Sequence, residues 1–491
     1  MNGFLLRLLF VSIWFSFFCS LHAQNQRMKN LFADSICVVR KKPFKAAVEV
    51  TGLNLGIWAY DRYGKKADYA YINWNSMKRN IRNGFVWDND AFLTNLFGHP
   101  YHGGLYFNAA RSNGMLLREA ALYTVGGSLM WEYLMENELP SMNDLIATSI
   151  GGVCLGEITF RLSDLLIDDR TIGLARFGRE FFATLISPMR GFNRIISGDA
   201  WKVRNISGRR ESSSPVRFYI ASGYKSLSES RNIKLDHGMY IDLKLLYSNI
   251  FSDENEKPYD AFLLNTQINF FSYQPFISNI NVLGQIWGKN IRLKNNRFDL
   301  HWGFFQHFDY YDSKAVFEGE TINSYKISQV AAVGVGGQFR INLTEKNSFV
   351  MSSYLNGVLL GGSITDYYRV TDRDYNMGSG FSAKANMWLR FGTKAELAAT
   401  IEKYRFFTWK GYDPNIDLSQ LTPKEQSNLN VQGDKGSTDF TVSNLNFNYC
   451  FLKQYTFSIG MSYYLRNSNY IYFPDVKNKI IESKVGAGYT F

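Results

Sequence analysis

Beyond its first two dozen residues the sequence offers no run of roughly 18 or more apolar residues, so it reads as a chain without a spanning helix. Cysteine is scarce. Apart from Cys19 near the start there are only Cys37, Cys154 and Cys450, an odd and widely spaced set that excludes a disulfide framework and a clustered thiolate metal site. Charged residues are thin, at 20%. There is no phosphate-cradling glycine loop, no zinc-binding helix motif and no low-complexity tract. The formal charge of +11 does not imply nucleic acid, because Lys and Arg are scattered through turns and strand ends without a basic helix or an aromatic stacking motif.

What the chain does have is aromatic content, 16%, and a start suited to export. Met1 to Ala23 carries Arg7, a mostly apolar stretch from Leu8 to Phe18, and a small-residue exit near Leu21-His22-Ala23. This predicts a secretory signal peptide, residues 1–23. Cys19 lacks the small-residue approach of a lipid-modified cysteine. At the other end, Ile481 to Phe491 places apolar or aromatic residues at every odd position except Ser483, and polar residues or Gly at every even one. That period of two predicts the closing strand of a membrane barrel, handed over by the barrel assembly machinery.

The same alternation recurs from about Pro215 onward. In Phe381 to Arg390, the residues Phe381, Ala383, Ala385, Met387 and Leu389 face one way, with Ser382, Lys384, Asn386 and Arg390 opposite and Trp388 the exception. Tyr455 to Leu465 and Tyr240 to Tyr247 repeat it, the latter with Asp242 and Lys244 opposite Ile241, Leu243 and Leu245. Twelve such segments fall between 214 and 491, an even number as bacterial barrels require. Only a closed sheet satisfies its own backbone in lipid. The expected fold is an all-β transmembrane barrel of about twelve antiparallel strands over 201–491, with an N-terminal helical domain or plug over 24–200. Such a protein belongs in the cell outer membrane, with outer-membrane lipid as its first partner.

The region before the barrel differs in kind. Phe44 to Tyr63 is largely apolar and aromatic and reads as a strand or an edge element. Trp87-Asp88-Asn89-Asp90 follows, then His99-Pro100-Tyr101-His102-Gly103, whose two histidines a turn would place on one side. Helices are predicted over Met115 to Glu136 and Ser141 to Leu166, the second opened by Ser141 with Asp144 three residues on. That second helix carries a small-residue seam, Thr148, Gly152, Gly156, Thr159 and Ser163, which would let another helix approach closely. Beside the seam runs a charged line of Glu157, Arg161, Asp164 and Asp168, with Glu157 and Arg161 an i,i+4 pair. A third helix, Leu174 to Ile186, is basic and aromatic, suited to packing or to a membrane interface. Lys202 to Ser214 is a basic linker.

Phe97 to Asp169, with its HPYHG turn, its NAARSNG segment at 108–114, its SLMWEY helix and its PSMNDL helix, resembles the DUF3943 domain family of bacterial outer-membrane proteins. Asn54 to Tyr63 and Pro188 to Asn193 share that resemblance, and the two chain ends are similar to exported barrel proteins of the Bacteroides group. The resemblance implies a location and a domain grouping, and no reaction.

His99, His102, Glu132, Glu136, Asp144 and Glu157 supply imidazole and carboxylate for either a metal site or general acid-base work. In a hydrolase, His99 or His102 would activate water or a nucleophile such as Ser112 or Ser128, Glu132 would fix the tautomer, and Arg111 would hold a phosphate or carboxylate. Against this, histidines beside Pro and Gly lock turns, Glu157 with Arg161 ties helices, and Trp131 reads as a core or interface anchor. The sequence names no cofactor and no metal. The expected function is an envelope-structural or transport role for a small polar solute or envelope lipid. The alternative is a membrane-embedded hydrolase acting on lipid or envelope substrates. Helices in the lumen would favour gated passage, and helices beneath the barrel a scaffold.

Overall fold

The computed structural model describes residues 37–491 except 38, 212–214, 230–231, 271–273, 293–296, 318–319, 371–372, 423–424 and 427–428. The predicted signal peptide, 1–23, lies outside the described residues.

The C-terminal body is the expected barrel. Its strands are β1 (Val216–Glu229), β2 (Asn232–Tyr247), β3 (Phe262–Asn269), β4 (Ile277–Arg292), β5 (Phe298–Phe317), β6 (Glu320–Asn342), β7 (Asn347–Ile364), β8 (Tyr375–Phe391), β9 (Ala395–Thr408), β10 (Gly436–Leu452), β11 (Tyr455–Tyr470) and β12 (Val476–Thr490). Each pairs antiparallel with its neighbours, and β12 pairs with β1, so no sheet edge is left open. The alternation in sequence becomes an outside and an inside. Leu445 and Phe447 on β10, Ile459 and Met461 on β11 and Val485 on β12 stand exposed on the outer wall, while Thr400, Asn446, Ser458 and Lys484 face the lumen. Trp388, the exception on β8, lines the lumen with Asn386 and Arg390.

Inside the barrel is a cavity of about 560 Å³ to which all twelve strands contribute. Its walls are polar, with Asp242, Asn281, Gln338, Arg340, Arg390 and Lys484 among them. Above the cavity, side chains from distant strands meet across the lumen. Lys384 of β8 donates to Asp309 of β5, Tyr404 of β9 reaches the same carboxylate at 3.1 Å, and Tyr311 of β5 donates to Glu402 of β9 at 2.9 Å. Tyr325 of β6 stacks on Tyr464 of β11 with ring centroids 4.3 Å apart, beside Phe440.

The N-terminal body is helical: α1 (Pro43–Ala59), α2 (Trp74–Asn83), α3 (His99–Ser112), α4 (Leu117–Leu134), α5 (Met142–Leu166), α6 (Gly173–Ile186) and α7 (Pro188–Ser197). Two expectations are corrected here. Phe44 to Tyr63 is helix rather than strand, because its inward positions, Ala46, Glu49, Val50 and Asn54, recur at helical spacing. The HPYHG segment opens α3 rather than making a turn, since Pro100 sits in the first turn, where a missing N–H costs nothing. A third correction concerns length: α5 is long and apolar enough to cross a membrane. Its polar residues, Thr148, Glu157, Arg161 and Asp164, interrupt the apolar run in sequence, but all four turn inward.

Among the described residues, no helical residue lines the lumen cavity. The expected helical domain stands beside the barrel, as strand parity shows. On β4, Asn279 and Asn281 line the lumen, whereas Ile280 and Val282 pack with Phe92, Leu96, Cys154, Leu155 and Ile158 of the helical body. On β2 the lumen takes Asp242 and Lys244, and the helices take Leu245 and Tyr247. Phe308 and Tyr310 on β5 and Met377 on β8 join that same outer-wall cluster.

The loops 365–374 and 409–435 lie at one end of the barrel and the turns 343–346, 392–394 and 453–454, with the 248–261 connection, at the other; the end bearing the longest loop is taken as the cell-exterior one and the opposite end as periplasmic. The bundle is clasped at both. At the outer end, Arg373 donates to the Asp88 carbonyl at 2.6 Å and Asn430 accepts from the Trp87 N–H at 2.9 Å. At the periplasmic end, Arg161 of α5 pairs with Asp260 at 3.1 Å and donates to the Pro258 carbonyl at 3.0 Å.

The small-residue seam on α5 meets α3. A Cβ on Gly103 would lie 1.8 Å from the Thr148 carbonyl oxygen, and one on Gly152 would lie 2.6 Å from the Gly103 Cα. Gly103→Ala is therefore expected to destabilise the bundle by about 1–3 kcal/mol or more through overpacking. Gly126→Ala, whose Cβ meets nothing within 4 Å, should be neutral or slightly stabilising. Protease cleavage within the bundle, read beside heat-modifiable migration of the barrel, checks this; equal resistance in both variants would contradict so close a crossing.

Candidate functional site

The candidate residues separate into two polar centres at opposite ends of the bundle. α3 and α5 run in the same direction, so His99 at the start of α3 lies beside Asp144 and Thr148, and Arg111 at its end lies beside Glu157. The spacing of the two centres follows from helix rise: the 13 steps from His99 to Ser112 span about 20 Å.

At the outer end, His99 sits between two groups, with its Nε2 3.4 Å from Asp144 Oδ1 and its Nδ1 3.3 Å from Thr148 Oγ1. Asp88 accepts from Asn95 at 2.8 Å and from Asn143 at 2.9 Å. Asn143 also donates to Asp144 at 2.9 Å, so one amide joins the two carboxylates. Glu132 accepts the Ser141 N–H at 2.7 Å, and Glu136 accepts the Trp131 indole N–H at 2.5 Å. Ser141 is the N-cap of α5, as expected, with its hydroxyl accepting from the Asp144 N–H at 3.3 Å. His102 is held by rings, 4.6 Å from Tyr106 and edge-on to Trp131 at 5.2 Å, and its buried Nε2 finds no hydrogen-bond partner among the described residues.

This centre holds its carboxylates with amides, backbone N–H groups and an indole. Buried polar groups need such partners, and each carboxylate named here has one. No group of three or more His, Cys, Asp or Glu side chains is placed to hold a metal ion among the described residues. Short π-helical turns at Thr94–Gly98 and Ala147–Gly151 flank the centre on both helices, and such turns redirect side chains locally.

At the periplasmic end, Glu157 is fully buried between two guanidinium groups. Arg111 donates to it through Nε at 2.9 Å and Nη2 at 3.1 Å, and Arg161 through Nε at 2.8 Å. Arg111 also reaches Glu211 at 2.7 Å, and Arg161 lies over the Tyr247 ring at 5.7 Å. Asp164 pairs with Arg190 and accepts the backbone N–H groups of Arg210 and Glu211. Arg210 in turn donates to the carbonyls of Arg111 and Ser112 at 2.9 and 2.8 Å. The Ser112 hydroxyl is buried and has no partner among the described residues. This is a knot of α3, α5, α7, the 207–211 linker and the β2–β3 connection.

The structure thus brings His99 and Asp144 together, with Glu132, Glu136, Trp131 and His102 nearby on adjoining helices. Arg111, Glu157, Arg161 and Ser112 gather separately. Asp88, Asn95, Asn143, Thr148, Arg373 and Asn430 complete the outer end, and Glu211, Arg190 and Arg210 the periplasmic one; none was singled out from the sequence as a site residue. The WDND segment beside the histidines was the one available signal for Asp88. Arg373 and Asn430 come from barrel loops, and nothing in local spacing could point to them.

Residues 84–189 match the family model described as "Domain of unknown function (DUF3943)". That span contains most of both centres. No curated protein matches the chain. Among solved structures, the chain is similar to the KdgM porin at 10% identity, covering 55% of this chain and 99% of that one, with a TM-score of 0.23. The outer-membrane channel DcaP of Acinetobacter baumannii shows 8% identity, 56% and 96% coverage and a TM-score of 0.23. The translocator domain of the autotransporter NalP from Neisseria meningitidis shows 11% identity, 62% and 95% coverage and a TM-score of 0.24.

Glu157→Ala leaves two buried guanidinium groups without their shared partner and is expected to cost about 3–5 kcal/mol. Glu157→Gln, which keeps the acceptor oxygen, should cost less. Denaturant unfolding followed by a fluorophore on the bundle would rank the two; equal stability of both variants and the wild type would contradict the knot as a structural tie.

Proposed function

We propose that this DUF3943-containing outer-membrane barrel has an envelope-structural role, with its wall as the anchor of the helical bundle and its lumen closed at rest. The observation that carries this reading is the closure itself, in which Lys384, Asp309, Tyr404, Glu402 and Tyr311 join strands β5, β8 and β9 across the lumen. A free pore has no use for a buried cross-lumen ion pair, since breaking one partner away leaves an uncompensated charge.

Transport of a small polar solute is the second form of this reading. The polar cavity below the closure supports it: Arg340, Arg390, Lys244 and Asp242 line a space of about 560 Å³, enough for a small polar molecule. Passage would then require the aromatic and ionic closure to part.

The hydrolase alternative rests on the contact of His99 with Asp144 and Thr148. Thr148 is buried and Ser112 belongs to the other centre, so a structural tie between α3 and α5 is the reading we adopt for His99. Its test is His99→Ala and His102→Ala, with heat-modifiable folding, lipid profile and permeability measured together. Weakened folding is the expected outcome, whereas intact folding with an altered lipid profile would transfer the pair to catalysis.

For the closure, the full chain in a planar bilayer is expected to be silent, and Tyr325→Ala combined with Tyr464→Ala to conduct in steps. A steady wild-type conductance would overturn the closed-barrel reading and leave open transport in its place.

A further inference from the structure

We infer that the helical bundle is itself immersed in the bilayer, with acyl chains as the solvent of its outer face and the α6–α7 hairpin lying in the periplasmic leaflet. The bundle is built inside out. On α6, Leu174 is 89% exposed and Phe177 64%, with Phe181 and Leu185 exposed behind them at helical spacing, while Arg176 and Arg179 are buried. α7 repeats this with Phe192, Ile195 and Ile196 outside and Arg190, Asn193 and Arg194 inside. An amphipathic helix on a water-facing surface has the opposite polarity.

The upright helices follow the same rule. α1 turns Phe44, Val48 and Leu55 outward and Glu49 and Asn54 inward. α4 turns Leu122 and Val125 outward and Thr124, Ser128 and Glu132 inward. Glu49 is the sole charged residue between 46 and 60, and Glu132 the sole one between 120 and 135, and both are buried. Each outer face is therefore free of charge over on the order of 20 Å. Chemistry changes at the outer end of that band. There Tyr60, Tyr63 and Trp74 are exposed, and Arg62, Lys65 and Lys78 lie over aromatic rings, an arrangement suited to a headgroup boundary.

Acyl chains are the one occupant that fits because the face continues the lipid-facing wall of the barrel. The bundle is sealed to that wall by Leu245, Ile280, Phe308, Tyr310 and Met377, so lipid against the exposed strands also meets the helices. On α5, Asn143, which accepts from the Asp88 N–H beside the outer clasp, and Arg161, which makes the periplasmic clasp, are roughly 18 residues apart, about 27 Å, close to the hydrocarbon thickness. A helix pair with an apolar outer face at the membrane boundary lies in the plane of the leaflet.

The test uses the full chain with Cys19→Ser, Cys37→Ser and Cys450→Ser, keeping buried Cys154, reconstituted into phosphatidylcholine and phosphatidylglycerol vesicles. A spin label is placed at Val48→Cys, Leu122→Cys or Phe177→Cys, with the outer-wall position Ile459→Cys as the lipid reference. Oxygen should relax each label more than a water-soluble nickel complex does, as at Ile459, with the oxygen preference smaller at Phe177 than at Leu122. Preferential relaxation by nickel would place the bundle in water, and protection from both reagents would place a second copy or another protein on this face; either result overturns the inference. Each variant must first retain heat-modifiable migration, and Leu55→Cys and Phe181→Cys repeat the measurement on the same two faces should a first choice fail to fold.

Discussion

Both bodies of this molecule turn their polar groups inward, and the architecture follows from satisfying those groups without water. In the barrel the requirement is met first by closure, since β12 returns to β1 and each strand is hydrogen-bonded to a neighbour on both sides. It is met again inside the lumen, where Lys225 finds Glu482 at 3.1 Å and Lys484 finds Asp242 at 3.0 Å. In the bundle the same requirement collects Glu157, Arg111 and Arg161 at one end and Asp88, Asn143 and Asp144 at the other. Polar side chains left unpaired in such surroundings cost several times what a made hydrogen bond contributes, so partners are recruited from wherever the chain passes.

That recruitment ties the two bodies together. Arg161 completes its set with Asp260 and the Pro258 carbonyl, both in the connection between β2 and β3. Asn89 completes its set with Tyr368, whose hydroxyl lies 2.8 Å away, and with the Gln426 carbonyl. The bundle thus borrows from barrel loops at both ends. A bundle formed ahead of the barrel would have these groups unsatisfied, which makes wall and loops part of the helical domain's own core.

The strands were legible because their signal is local. A period of two survives in Phe381 to Arg390 and Ile481 to Phe491 whatever the rest of the chain does, and the count of twelve followed from it. α4 and α5 were legible for a related reason, through the Ser141 cap and the stop at Pro140, and α6 through the stop before Pro188. α1 was not, because an inside-out helix presents apolar residues where a soluble pattern puts charge, and Phe44 to Tyr63 then resembles a buried strand. α5 failed the test of uninterrupted length for a complementary reason. Its Glu157 and Arg161 neutralise one another within the bundle, and a hydropathy run scores each as though it stood alone in lipid. Which residues form each centre was half legible: His99 and Asp144 come from neighbouring helices, whereas Arg373 lies more than 280 positions from Asp88.

The glycine seam between α3 and α5 belongs to the same logic. In water, helices associate to remove apolar surface, and large residues at the contact are an advantage. Where the outer face stays apolar, that drive weakens, and association depends on close packing and polar contacts. Gly103, Gly104, Gly152 and Gly156 bring the two backbones near enough for a Cβ to be excluded at 103 and 152. Close approach also sets the register that places His99 against Thr148, Asn108 against Thr159 at 2.9 Å and Arg111 against Glu157. Three polar pairs, spaced down one helix contact, are thus consequences of a single geometric fact. Replacing any one pair would remove a tie, but filling the seam would displace all three at once.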